Sequence, residues 1–248
     1  MCLIVLSFRQ DVDYPLVLAA NRDEFFDMTA DVLGAVVPGA VAEVITGAEE
    51  AELSFIGAVA ELDTAAAPFV VVDLGGGSTE VVVGSRHADT GYSADIGCVR
   101  ITERCLHSDP PTAGEIEAGR AMVRTRLGAA LRAVPVEGAR TWVGVAGTFT
   151  TLAALAQRMT TYDSEAIHLS TVAFAQLLPV CDELLAMTRR QRAALGPMHE
   201  GRVDVIGGGA IVVQELAREL GDRAGIAALT VSEHDILDGV ARSLVGAR

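Results

Sequence analysis

The sequence has no C-x-x-C pair. Its four cysteines, Cys2, Cys98, Cys105 and Cys181, are scattered, which argues against a zinc knuckle or a dense disulfide scaffold and makes the reducing cytoplasm the expected compartment. The five histidines, His87, His107, His168, His199 and His234, show neither H-x-x-x-H nor H-E-x-x-H spacing, which speaks against a zinc hydrolase. No apolar run approaches the roughly 18 to 20 residues of a membrane-spanning helix. The apolar opening, residues 1–8, lacks a basic leader and a small-residue cleavage site and meets charge at Arg9. It reads as a strand rather than a signal peptide, so a soluble protein with no membrane partner is expected. Cations are scarce as well. With Lys+Arg at 19 against Asp+Glu at 33 and a net charge of −14, the average surface repels phosphate backbones, and no nucleic-acid partner is expected. A polyanion can bind only where backbone N–H groups, a metal ion or a few local cations overturn that field.

What is present is the material of a core. Hydrophobic residues make up 50% of the 248, ample for one large domain or two small ones and incompatible with dominant disorder. Apolar stretches of strand length alternate with longer helical patterns. Strands are expected over residues 2–8 and 15–20, joined by a polar turn over 10–13, then a helix from 22 to about 33 and a strand over 41–45. A helix over 48–62 carries Glu49, Glu50 and Glu52 in its first turns, where the macrodipole favours acids. Residues 63–68 read as a linker. Beyond it come paired strands over 69–73 and 79–83, a strand over 92–96, and a helix opened by Thr112 with Glu115 at capping-box spacing. A buried strand over 141–146 runs into a helix over 149–159; helices follow over 176–187, 204–220 and 235–245, with a short strand at 229–231. This alternation predicts the α/β class with a mixed sheet.

Four strings could carry chemistry. The sharpest is Asp73-Leu74-Gly75-Gly76-Gly77-Ser78-Thr79-Glu80 between two apolar strands. Consecutive glycines let a ligand approach the main chain, and their N–H groups can converge on a phosphate. Asp73 at the strand end can hold a hydrated divalent cation beside it, and Ser78 or Thr79 can add hydroxyl donors. The competing reading is a glycine-rich hairpin with a solvated Asp and Ser. The second string, residues 144–151, contains Gly147, Thr148, Thr150 and Thr151 at a strand-to-helix junction, where the first helical N–H groups form an anion site; its competitor is an ordinary capped helix. Third, Glu49 and Glu50 open a helix, as a candidate general base or simply as dipole partners. Fourth, the string 202–210 carries Gly207, Gly208 and Gly209 within a helical pattern, where another backbone or a flat ligand can pack closely; close helix packing is the simpler reading.

Together, from about Asn21 onward, these strings resemble the exopolyphosphatase and guanosine pentaphosphatase (Ppx/GppA) family. The matching segments are VITGAEEAELSF (44–55), VVVDLGGGSTEVVV (70–83), SADIGCVRITE (93–103), GVAGTFTTL (144–152), HEGRVDVIGGGA (199–210) and VSEHDILDGV (231–240), in the family's order, and their wording is most similar to short actinobacterial exopolyphosphatases. The resemblance implies the actin-like, sugar-kinase-like ATPase fold, two α/β domains across a cleft, and Mg2+-dependent hydrolysis of terminal phosphoanhydride bonds of polyphosphate, or in some members of pppGpp. It implies Asp73 as the metal-associated carboxylate and Gly75, Gly76, Gly77, Ser78 and Thr79 as one phosphate loop. It further implies Glu80 as the motif's closing acid, Glu50 as the base that activates water, and Gly147 and Thr148 as the other phosphate turn.

The opening departs from that pattern. Residues 1–72 contain no D-x-G string, and residues 1–26 instead resemble the start of the NRDE (transport and Golgi organisation 2) family, whose second-position Cys, here Cys2, implies an N-terminal nucleophile. The expected organisation is a remnant of a first actin-like domain over 1–66 and a complete second domain with phosphate loops over 67–248. Apolar surface left on the helix over 48–62 would favour a homodimer. Two readings stand: an exopolyphosphatase-like phosphohydrolase impaired by the missing first phosphate loop, and a catalytically inactive phosphate, polyphosphate or nucleotide binder.

Overall fold

The computed structural model describes residues 46–246 and, before them, the strands β1 (Leu3–Arg9), β2 (Pro15–Asn21) and β3 (Val41–Val44). These three pair antiparallel in the order β2-β1-β3. Cys2, the turn over 10–13 and the helix expected over 22–33 lie outside the described residues.

Helix α1 (Gly47–Val59) starts where Thr46 can cap it. The Thr46 hydroxyl accepts from Glu49 N–H, and the Glu49 carboxylate accepts from Thr46 N–H at 2.8 Å, so two orphan donors of the first turn are satisfied at once. A 3-10 turn (Thr64–Ala66) then leads into the main sheet. Its strands are β4 (Phe69–Leu74), β5 (Thr79–Gly84), β6 (Ala88–Ala94), β7 (Thr141–Val145), β8 (Thr171–Ala173) and β9 (Ala228–Val231), in the spatial order β6-β5-β4-β7-β9-β8. Strands β4, β7 and β9 are parallel; β5, β6 and β8 are antiparallel to their neighbours. The sheet is therefore mixed, as the alternation predicts.

The remaining helices are α2 (Cys98–Cys105), α3 (Ala113–Ala133), α4 (Gly147–Ala156), α5 (Ser164–Ile167), α6 (Phe174–Ala186), α7 (Arg189–Ala193), α8 (Ile206–Ala224) and α9 (Ile236–Gly246). A strand covered on both faces reads as a continuous apolar run, and β4 is one. Val70 and Val72 face a core shared with Val123, Leu152, Leu177 and Val212 of α3, α4, α6 and α8. Phe69 and Val71 face a smaller core with Phe55, Ala58 and Val59 of α1. The apolar face of α1 is thus covered rather than left open, which removes the ground on which a homodimer was expected. Helix α9 lies against α1 at closest range. A Cβ at Gly57 would meet the Asp235 carbonyl oxygen at 1.9 Å, and one at Gly239 would meet the Leu53 carbonyl oxygen at 1.9 Å.

One local expectation is corrected, and one helix has no counterpart among the elements expected from sequence. The strand expected over 92–96 is β6, Ala88–Ala94, an edge strand whose polar, glycine-containing sequence ADTGYSA hides its extended run. Helix α2 has no side-chain cap at Gly97 and therefore no start signal in the sequence. Loop carbonyls take its first N–H groups instead.

Candidate functional site

Parallel strands β4, β7 and β9 end at one edge of the sheet, and ligands of open α/β sheets bind in the crevice beyond such carboxyl ends. Asp73 is the register partner of Val145, and Gly144 of Val231. The loops leaving these strands, 75–78, 146–147 and 232–235, are therefore neighbours.

The first loop closes with Gly75 N–H donating to the Ser78 carbonyl at 3.0 Å. Its carbonyls point away from the crevice into α2: Cys98 N–H donates to Gly75 O at 3.0 Å, and Val99 and Arg100 N–H donate to Gly76 O at 3.0 and 3.1 Å. Arg100 Nε donates to Gly77 O at 2.8 Å and its guanidinium pairs with Asp95 at 2.8 Å. Gly97 makes this close approach feasible, since a Cβ there would lie 2.3 Å from Gly76 O. With the carbonyls so engaged, none of the described residues accepts from the N–H groups of Gly76, Gly77 or Ser78, the arrangement an anion cradle requires. Thr79 is placed elsewhere. Its side chain is fully buried and its hydroxyl donates to Ile96 O at 2.7 Å, so the structure does not bring that hydroxyl into the cleft.

Glu50, Asp73 and Glu80 line one cleft of about 580 Å3, together with Gly47, Ser54 and Ser93. Asp73 and Glu80 face each other across the β4–β5 hairpin. The alternatives left open for Glu49 and Glu50 separate here: Glu49 is committed to the cap, and Glu50, one residue on, reaches the cleft. Surrounding protein, and then the charges of Glu80, Asp235 and Glu50, push the Asp73 carboxyl up to about 7. Burial likewise raises Asp235. Glu80 accepts from the Ser93 hydroxyl at 2.7 Å through Oε1, while its buried Oε2 has no hydrogen-bond partner. Crowded carboxylates with a buried orphan oxygen fit a hard divalent cation that takes oxygen ligands.

The second loop turns at Ala146, whose φ of 74° lies in the left-handed region that an L-residue enters only with strain. It aims the N-terminus of α4 along the crevice. The Arg202 guanidinium lies directly on Gly147, where a Cβ would fall 2.1–2.3 Å from its atoms, and its Nη1 donates to the Thr151 hydroxyl at 3.0 Å. Thr148 is buried, with its side chain against Gly209 and bonded to the Cys98 thiol, which burial pushes up. Its hydroxyl is therefore engaged inside the fold. Gly208 packs on the Cys98 carbonyl in the same way, so the glycines of α8 serve close packing, as the simpler reading has it. Sequence reasoning missed Arg202, Asp235 and Ser93. Arg202 stands in the HEGRVD string, 55 residues after the glycine it covers, and only its contact with Gly147 distinguishes it from other arginines.

The model of the Ppx/GppA phosphatase family matches residues 17–244. Exopolyphosphatase 2 of Mycobacterium tuberculosis is 72% identical over 226 residues, covering 91% of this chain and 71% of that protein. The crystal structure of an exopolyphosphatase-like protein superposes with a TM-score of 0.81 at 38% identity, covering 87% of this chain and 71% of the other. An exopolyphosphatase from Cytophaga hutchinsonii superposes with a TM-score of 0.74 at 26% identity, covering 90% of this chain and 71% of the other.

Proposed function

Since this chain belongs to the Ppx/GppA phosphatase family and has its actin-like α/β fold, we propose that it hydrolyses phosphoanhydride bonds, releasing terminal phosphate from polyphosphate. The observation that carries the reading is the convergence of Glu50, Asp73 and Glu80 on one cleft, with the glycine loop after β4 and the turn after β7 leaving adjacent strands at Asp73 and Val145. In the same reading the chain divides near residue 66 into a first-domain remnant and a second domain over 67–248, and it works in the cytoplasm.

The N–H groups of Gly76, Gly77 and Ser78 receive the terminal phosphoryl oxygens. The first turn of α4 at Gly147 and Thr148, with the Arg202 guanidinium beside it, meets the rest of the phosphate charge. Glu50 orients a water for in-line attack and accepts its proton as the bond to phosphorus forms. Asp73, with Glu80 opposite, would hold Mg2+, which when bound supplies neutralisation of the charge on the transferring group. No covalent protein intermediate is required. The same site accommodates the terminal phosphate of pppGpp, so the two substrates are compared side by side.

The test is phosphate release from short-chain polyphosphate with Mg2+. The Glu50→Gln variant is expected to lose at least ~100-fold in kcat, the scale of a general base, while polyphosphate Kd stays within a few-fold. Release that survives the substitution refutes the role of Glu50. Binding without any release by the parent chain would favour the alternative, an inactive polyphosphate binder, for which the absence of D-x-G from residues 1–72 is the supporting observation.

A further inference from the structure

Three residues that the phosphatase reading does not use come together past the C-terminal end of α1. Glu61 lies two residues beyond α1, His168 between α5 and β8, and His234 in the loop from β9 to α9. Each offers one ligand atom, and the three atoms lie within 4.8 Å of one another. We propose that Glu61, His168 and His234 form a binding site for a divalent transition metal of the zinc type, separate from the catalytic cleft, that staples α1 to the second domain.

Geometry separates this from an ordinary hydrogen-bonded cluster. Glu61 Oε2 is 3.5 Å from His168 Nε2, and Glu61 Oε1 is 3.6 Å from His234 Nδ1. Both are long for hydrogen bonds. A tetrahedral ion with bonds of about 2.0–2.1 Å has ligand atoms roughly 3.4 Å apart, and the spacing of Glu61 Oε2 from His168 Nε2 matches such an edge. The imidazoles stack with ring centroids 4.1 Å apart, which brings their nitrogens to one side of the carboxylate. His234 Nδ1 is buried without a hydrogen-bond partner, a cost that a metal bond would remove. Arg242 Nη2 donates to Glu61 Oε1 at 2.8 Å, fixing the carboxylate and leaving Oε2 toward the histidines. Asp238, with Oδ1 3.9 Å from His234 Nε2, flanks the far edge of that ring. Two imidazoles and one carboxylate select zinc-type ions over Mg2+, which takes oxygen ligands.

Uptake requires one rearrangement. His168 Nδ1 accepts from Glu233 N–H at 3.2 Å, so its proton sits on Nε2; metal binding moves that proton to Nδ1 and opens the Glu233 contact. From Glu50 to the end of α1 at Val59 the helix spans about 14 Å, taking a rise of about 1.5 Å per residue.

The full chain, stripped of metal and held in excess Mg2+, is titrated with Zn2+ by calorimetry. One equivalent is expected, with a rise in melting temperature by linkage. Glu61→Gln, an exposed change that spares packing, should weaken uptake by more than the roughly tenfold that loss of an outer ligand partner costs; so should His168→Ala and His234→Ala. Cobalt loading of the unaltered chain decides the matter even where a variant misfolds. A d–d band without thiolate charge transfer supports the site, whereas a thiolate band, or undiminished uptake by the His168→Ala/His234→Ala chain, overturns it.

Discussion

Asp73 sets a sign that stability measurements can read. A carboxyl raised from 3.8 to about 7 in the folded chain keeps its proton there while the unfolded chain releases it. Its contribution is fully present below the unfolded value near 4 and is lost as pH rises through 7. In metal-free buffer the melting temperature should therefore fall between pH 5 and pH 8, and Asp73→Asn should flatten that fall. Mg2+ should stabilise more at pH 8 than at pH 5, because a cation takes the ionised carboxylate. A metal-free profile unchanged by Asp73→Asn would refute the shift. Gly147 makes a second prediction at this scale. Its missing Cβ is where the end of a flexible Arg202 side chain lies, so Gly147→Ala should keep the fold and cost only about 1 kcal/mol or less, as the arginine swings away. Phosphate affinity, read as KM for polyphosphate, should nevertheless weaken by roughly tenfold, the value of about one lost charge-assisted hydrogen bond.

At the scale of elements, α1 is aimed by backbone contact. Gly57 and Gly239 let α1 and α9 touch main chain to main chain, and the atoms a Cβ would strike are carbonyls that cannot swing aside. Gly57→Ala should force the helices apart and cost about 1–3 kcal/mol, as overpacking does. Melting should show the loss, and phosphate release should fall further than stability alone explains because Glu50 rides on α1. Activity unchanged in a folded Gly57→Ala protein would mean that Glu50 does not depend on this crossing. The elements were unequally legible in sequence. The helix at Thr112 announces itself by its capping box and is found there. Helix α2 carries no such signal, because its cap is the carbonyls of Gly75 and Gly76 in a distant loop, a contact that no local pattern encodes.

For the whole molecule, the governing quantity is a net charge of −14. All 19 basic residues are arginine, and few stand near the cleft, whose lining brings Glu50, Asp73 and Glu80 together. A polyanion approaching this surface is repelled unless a cation is bound. Removing Mg2+ with EDTA should therefore abolish polyphosphate binding itself, measured by equilibrium dialysis, as well as turnover. Binding that persists at full strength in EDTA would show that N–H groups and Arg202 suffice. Among the described residues no helix is long and apolar enough to cross a membrane.

Composition, periodicity and the glycine strings determined the α/β class, the order of most elements, and Asp73 and Gly75–Ser78 as candidate groups, because strand alternation, helix caps and glycine-rich turns are local physics; Glu50 was singled out from Glu49 by the family resemblance. The tertiary structure decided where those groups lie. It separated Glu49 from Glu50, turned the Thr79 and Thr148 side chains away from the crevice, seated Arg202 on Gly147, and gathered Glu61, His168 and His234 from three distant segments. Each of these depends on which strand ends and helix faces meet. That is fixed by burying β4 on both faces and by close backbone approach at a few glycines, interactions between residues tens to more than a hundred positions apart that a single sequence does not display.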